Sequence, residues 1–437
     1  MLSISRRAWL FGAAAPFALR GQTCAPPTPG VPQAFVPTAG IANIQRLSIS
    51  SVAANPAQLA RLSLAFDRLR ALTTTDPTDP RAWMQQANVH CFNCDGSARE
   101  IHGTPYFLPW HRAYIYFLER ILCQLLADTT FRLPYWDWDL PASRFLPATY
   151  RAPMPNSLLN TTRSAAANSG GAISASLFPS VGSPQNPMNN SQFLLFSQSL
   201  EAGLHGAIHV WTGGSGPIAT RGDMSILARA ARDPIFYSHH GNIDRLWAEW
   251  NRRGRLNPTS STFRNRQFLF YDENKVWRSI KVSQLLNTAP LGFSYPAGAA
   301  LSAPAKPKTL KLRLDNTRTI RMKDAQRQAF ASATLAKTRT LVLEEVALPA
   351  ETGIYHIFAG DPPAVGVDVA TAPNYLGFMA PLRGEHTTPR TTALSLDYNQ
   401  LFVDQAASPG GVKLTFRPAE GGSGNALTFK KVFFLEE

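Results

Sequence analysis

Asn88–Leu122, NVHCFNCDGSAREIHGTPYFLPWHRAYIYFLERIL, carries three histidines, His90, His102 and His111. Two later stretches answer it. EAGLHGAIHVW, 201–211, holds His205 and His209, and DPIFYSHHGNIDRLW, 233–247, holds His239 and His240. Seven of the nine histidines of the chain lie in these two groups, which random surface placement would not produce. The neutral imidazole is the commonest metal ligand and suits copper, zinc, iron and nickel. A pure packing role for so many imidazoles would bury polar groups without partners.

The spacing has mechanical content. His205 and His209 are four apart, so on a helix they share one face and can bind one ion. His111 opens HRAYIYFLERIL, whose apolar residues recur at helical intervals. His240 leads into a second helix-like run, NIDRLWAEW. Three histidines per group and two groups point to two metals, each held by three nitrogens with one side open.

The rest of the chain sets the context. Its 437 residues predict two domains. A hydrophobic content of 44% with only 16% charged residues supplies a large core and argues against global disorder. The net charge of +14 comes from dispersed Lys and Arg with no nucleic-acid motif, so nucleic acid is not an expected partner. A basic surface fits solubility or attraction of anionic phenolics or polymers. At the N-terminus, SRRAWLFGAAAPFAL joins Arg6-Arg7 to a short apolar run. It resembles a twin-arginine export signal over residues 1–21, too short for stable membrane insertion, and predicts a periplasmic or secreted protein.

After the signal, a Pro-rich arm leads into a helix over NPAQLARLSLAFDRLRALT, with Asn55 as cap and Pro56 at its first position. LPYWDWDLP, 133–141, reads as structural packing, and residues 150–190 as a long surface loop. Cys91 and Cys94 form a C-x-x-C that alone fits zinc or redox chemistry, although no second cysteine pair completes a zinc site. Cys123 reads as a buried small hydrophobe. A Pro/Ala linker, 299–308, separates the first domain, 22–298, from short alternating runs over 309–437 that predict a small β-sandwich. The fold class expected is mainly α, a central helical bundle followed by that β domain.

Five segments carry a family resemblance: NVHCFNCDG, FLPWHRAYIYFLERIL, LPYWDWD, HGAIHVWTGG and RDPIFYSHHGNIDRLW. They resemble the two copper sites of type 3 copper proteins, which are tyrosinases, catechol oxidases and haemocyanins, with plant polyphenol oxidases nearest. The likeness spans roughly residues 80 to 300. It implies two copper ions, the first on His90, His102 and His111, the second on His205, His209 and His240. His239 is then a neighbour without an assigned role. The resemblance also implies a Cys24–Cys91 disulfide, permitted by export, and a thioether from Cys94 to His102 that would pin that ring.

The same likeness implies further roles. Glu201 would orient a water near the coppers. Gly206 stands where efficient monophenol hydroxylases often carry Asn or Asp, which favours diphenol oxidation. Val210 would line the substrate entrance, and Leu227 would replace a gating phenylalanine and open it. Phe236 would restrict a ligand ring. Phe293-Ser294-Tyr295 matches a Tyr-x-Tyr signature short of one hydroxyl. From residue chemistry, Asp244 is expected to hold the far nitrogen of a ligating imidazole. In relatives the C-terminal domain lies over the copper site and can shield it.

The expected reaction is oxidation of o-diphenols to o-quinones by O2, with small phenols as substrates. The alternatives are a tyrosinase or o-aminophenol oxidase on the same scaffold and, more remotely, a haemocyanin-like O2 carrier. The export signal and the lack of a repeated unit weigh against the carrier. A zinc hydrolase would need a positioned carboxylate base.

Overall fold

The computed structural model describes residues 24, 30–38, 42–94, 97–178 and 186–296, and beyond them 308–311, 313–314, 319–321, 339–344, 346, 353–364, 367–369, 372–380, 382, 412–419, 429 and 431–436. The export signal expected over 1–21 and most of the expected linker lie outside the described residues.

Helix α1, Pro56–Thr75, starts where its sequence says. The Asn55 side chain accepts the amides of Ala57 and Gln58, and Pro56 takes the first position, where a missing N–H costs nothing. Its inner stripe is Leu62, Ala65, Phe66 and Leu69. Helix α2, Trp83–Phe92, carries the first histidine, His90, in its last turn. Helix α3, Phe107–Leu126, is buried on almost every side over its first three turns. It stops at Ala127, which adopts the left-handed conformation that closes many helices. Helix α4, Phe193–Leu200, continues through a π-helical turn, Glu201–His205, into α5, Gly206–Gly213. Inside this turn Gly203 leaves helical geometry, with φ −96° and ψ −108°, so two helices meet there at a kink, and that kink aims His205 and His209. Helix α6, Ile235–Arg252, packs across α3, so that both histidine groups meet in the centre of the bundle.

The N-terminal arm is tied down by strand pairing. Strands β1, Gln267–Tyr271, and β2, Trp277–Lys281, form an antiparallel hairpin, and Gln33–Ala34 adds to β2 in parallel. Ile44–Gln45 pairs with Phe293–Ser294. That pairing carries Arg46 into the core, where it is fully buried. Its guanidinium meets Glu119 at 2.6 Å and Asp244 at 2.9 Å, and lies 3.6 Å from the Phe293 ring centre. Arg112 reaches the other Asp244 oxygen at 2.5 Å, and the Tyr295 hydroxyl donates to Asp244 at 2.7 Å. Phe293-Ser294-Tyr295 therefore works as one ring and one hydroxyl, both spent on this network.

The described residues of this range, 150–178 and 186–190, differ from the surface loop expected. The segment buries Tyr150, Leu158, Ala167 and Ile173. It is anchored by Arg163, whose fully buried guanidinium pairs with Asp233 at 2.6 Å, just before α6. The low hydrophobicity of the segment hid this, because one buried ion pair takes the place of several apolar residues.

The C-terminal region is β-structured, as expected. Its strands among the described residues are short: β3 Lys308–Lys311, β4 Arg313–Leu314, β5 Thr319–Arg321, β6 Arg339–Glu344, β7 Tyr355–Ala359, β8 Tyr375–Met379, β9 Val412–Pro418 and β10 Lys431–Glu436. They form a five-stranded sheet, β8-β7-β9-β5-β4, and a three-stranded sheet, β3-β10-β6. Every described pairing in them is antiparallel. The end of β8 reaches the π-helical turn of the helical domain.

Candidate dinuclear metal centre

Each histidine ring is set by a neighbour on its own or the next element. The Phe107 carbonyl accepts from His111 Nδ1 at 2.8 Å, one helical turn back. The Glu201 carbonyl does the same for His205 Nδ1 at 3.0 Å, and the Met224 carbonyl for His209 Nδ1 at 2.6 Å. A carbonyl only accepts, so these rings carry their proton on Nδ1 and leave the Nε2 lone pair for a metal. The Nε2 atoms of His111, His205 and His209 are buried and have no hydrogen-bond partner among the described residues. His90 is bonded to the backbone of Leu227. Glu100 takes both the amide and Nδ1 of His102 on one oxygen, at 2.9 and 3.1 Å.

These constraints converge the rings. One donor atom each from His90, His102 and His111 lies within 4.8 Å of the others, and the same holds for His205, His209, His239 and His240. The two groups face each other: the His111 and His240 rings stack with centroids 4.0 Å apart and planes at 8°. Phe236 is buried between them, 4.8 Å from the His90 ring and 4.2 Å from that of His240. Phe107 sits 4.8 Å from both His111 and His205. Burial, then the neighbouring imidazoles, hold His90, His111, His205 and His240 well below the ordinary histidine range. Burial takes His209 down to about 4. Neutral imidazoles are the form that binds metal, and a donor set made of nitrogen alone suits copper.

Glu201 spans the two halves. Its Oε1 accepts the amide of Gly103 at 2.7 Å, the residue after His102, while its own carbonyl fixes His205. The Cys94 sulfur lies 3.5 Å from His90 Nδ1 and 3.7 Å from His102 Nδ1. Cys24 and Cys91 are joined in a disulfide, as expected. Cys123 is half-buried, donates to the Phe131 carbonyl, and has its thiol pushed up to about 11 by burial.

One expectation is corrected. Asp244 does not hold a ligating imidazole: its oxygens are taken by Arg46, Arg112 and Tyr295. Backbone carbonyls and Glu100 do that work instead. Leu227 is buried with Cys94, Val210 and Leu382 in one apolar cluster, against which Ile354 packs. Leu382 and Ile354 come from the C-terminal region. The same region makes a backbone contact: the Ala380 amide donates to the Ala202 carbonyl at 2.6 Å. The Ala380 carbonyl oxygen lies 1.7 Å from where a Cβ on Gly206 would stand. Only glycine leaves room for it.

Sequence reasoning missed Glu100, Trp138 and Leu382. Glu100 was legible, being two residues before a histidine. Trp138 belongs to a segment read as packing, yet its indole N–H donates to His239 Nδ1 at 3.0 Å. Its backbone is held in register because the Trp136 amide donates to the Ser238 carbonyl at 2.8 Å. Leu382 carries no local signal.

Comparison with known proteins agrees with this geometry. The common central domain of tyrosinase matches residues 80–194 and 176–253, and the polyphenol oxidase middle domain matches 258–306. Polyphenol oxidase A, chloroplastic, of Solanum lycopersicum is 33% identical over 300 residues, which is 59% of this chain and 48% of that protein. The chain thus spans about half the length of the curated relatives it matches. The crystal structure of Grenache (Vitis vinifera) polyphenol oxidase is 30% identical with a TM-score of 0.56, over 66% of this chain and 95% of that one. Latent apple tyrosinase shares the fold over 92% of this chain and all of its own, at 23% identity and a TM-score of 0.66.

Proposed function

We infer that this chain, which belongs to the tyrosinase and polyphenol oxidase family of type 3 copper proteins, oxidises o-diphenols to o-quinones with O2. The observation that carries this is the pair of facing, buried, neutral histidine groups. In this reading His90, His102 and His111 hold one copper and His205, His209 and His240 the other. Bound copper supplies the electron transfer between diphenol and O2. Each diphenol loses two electrons and two protons, and O2 takes up four of each to end as two waters. The chain's own part is geometric and electrostatic. The carbonyls of Phe107, Glu201 and Met224 keep Nδ1 protonated and fix the rings. Phe236 and Phe107 block ring rotation and keep water out. Glu201 bridges the two groups and is the acid best placed to hold a water or a phenolic proton. Val210 and Leu227 offer an apolar wall to an aromatic ring.

Four finer readings belong with this one. A Cys94–His102 thioether is supported by the sulfur's approach to that ring. Export rests on Arg6-Arg7 and the apolar run after it. Shielding by the C-terminal region is supported by Leu382, Ile354 and Ala380, which cover Val210, Leu227 and Gly206. Diphenol rather than monophenol oxidation is favoured because Gly206 offers no side chain beside His205, and a backbone carbonyl takes its space.

The test is oxygen uptake by copper-loaded protein with catechol and tyramine, before and after cleavage within 299–308, with copper assayed. Two coppers per chain and catechol turnover that rises on cleavage are expected. Prompt tyramine hydroxylation would overturn the diphenol reading, and copper content far below two would overturn the site itself.

A further inference from the structure

The second histidine group has one imidazole more than the proposed site uses. His239 is fully buried, and its ring lies 5.3 Å from that of His205 and 4.8 Å from that of His209. One of its nitrogens falls within 4.8 Å of the donor atoms of the other three rings. Position alone would admit it as a ligand. Hydrogen bonding decides otherwise.

Trp138 donates its indole N–H to His239 Nδ1 at 3.0 Å. An indole nitrogen is a donor only, so Nδ1 must present its lone pair. A neutral imidazole with its lone pair on Nδ1 carries its proton on Nε2. This is the opposite tautomer to His111, His205 and His209, whose Nδ1 atoms face carbonyls. His239 therefore has no Nε2 lone pair to give a metal unless the Trp138 bond breaks or the ring becomes an anion. Trp138 is itself held in place: it is fully buried, and its amide donates to the Trp136 carbonyl at 2.9 Å. The His239 Nε2 is buried and has no acceptor among the described residues. A buried N–H left unpaired costs about 1–3 kcal/mol, a deficit that an incoming acceptor removes.

We propose that His239 is a hydrogen-bond donor of the second metal site, its Nε2–H locked by Trp138 and directed at an anionic acceptor that enters the site, such as the oxygen of an ionised phenol. It is a residue that positions the ligand, and it leaves three histidines for the metal. The proposal rests on the dicopper reading above. It predicts that Trp138 acts on ligand binding through a tautomer, with no contact to the ligand itself.

The test uses the full-length copper-loaded protein and the variants His239→Gln, which keeps an N–H donor, His239→Leu, which does not, and Trp138→Phe. Copper content should stay at the wild-type value in all three. Azide, followed by absorbance of the cupric form, should bind about tenfold more weakly to His239→Leu and within about threefold of wild type to His239→Gln. In 15N spectra of histidine-labelled cuprous protein, the ring lost in His239→Gln should be protonated at Nε2, and Trp138→Phe should shift that ring toward the other tautomer. Loss of one copper in His239→Leu would make His239 a ligand and overturn the proposal. So would a metal-bound Nε2 in the spectra, equal azide affinity in His239→Leu and wild type, or no azide binding by wild type. Wild-type protein that cannot hold two coppers would sink the dicopper reading instead, which keeps the two failures apart.

Discussion

Gly206→Ala should release the C-terminal region from the metal centre. A Cβ at Gly206 would stand 1.7 Å from the Ala380 carbonyl oxygen and 2.9 Å from its carbon. Both are backbone atoms and cannot swing aside, so the strand end must retreat by about 1.3 Å before the contact reaches the closest that real Cβ atoms show. That movement breaks the bond from the Ala380 amide to the Ala202 carbonyl, about 1 kcal/mol. It also withdraws Leu382, 7% exposed, from Val210 and Leu227, about 2 kcal/mol for a leucine. Together these weaken docking by about 3 kcal/mol, or about a hundredfold in the closed-to-open ratio. The assay is catechol-driven oxygen uptake by the full chain and by the chain cleaved within 299–308, for wild type and variant. The ratio of cleaved to full-chain rate cancels any direct effect of the methyl group on the reaction. It should be well above one in wild type and close to one in Gly206→Ala. If the variant keeps the wild-type ratio, the seat made by Gly206 does not govern closure. If wild type itself shows a ratio of one, the segment over the site is no shield.

Two further outcomes are expected. Asp244→Ala strands Arg46 and Arg112 in the core without their shared partner and should cost about 3–5 kcal/mol of stability, read as a lower urea midpoint. Because Asp244 touches no ligating ring, the copper content of the folded fraction should stay at the wild-type value; selective loss of one copper would restore the role first expected of it. The metal-free protein should lose stability as pH falls. Burial keeps His209 neutral in the folded state down to about 4, whereas the unfolded chain protonates it near 6.5. The unfolded state therefore binds the extra proton between those values, and stability falls by up to about 1.4 kcal/mol per pH unit for each such histidine. His90, His111, His205, His239 and His240 shift in the same direction. Thermal unfolding at pH 7, 6 and 5 should show the drop without copper and much less of it with copper bound; a flat metal-free profile would contradict the burial of neutral rings.

The sequence by itself determined the local rules. The i, i+4 spacing of His205 and His209, the cap at Asn55 with Pro56 after it, and the short strands beyond 308 are properties of neighbouring residues, and each appears among the described residues. The pairing of Cys24 with Cys91 came from family likeness, because spacing alone left several partners open. Tertiary structure decided everything that depends on residues far apart in the chain. It gave Asp244 to Arg46, 198 positions away, in place of a histidine. It set Trp138 on His239, 101 positions away, and thereby the tautomer that separates a donor from a ligand. It also brought Ala380 and Leu382 to Gly206 and Leu227, residue contacts that the likeness to a shielding domain could not name. The physical reason is common to all three. A hydrogen bond or a close backbone approach is fixed to within a fraction of an ångström by packing, and a linear pattern records only which residue types are present to make it.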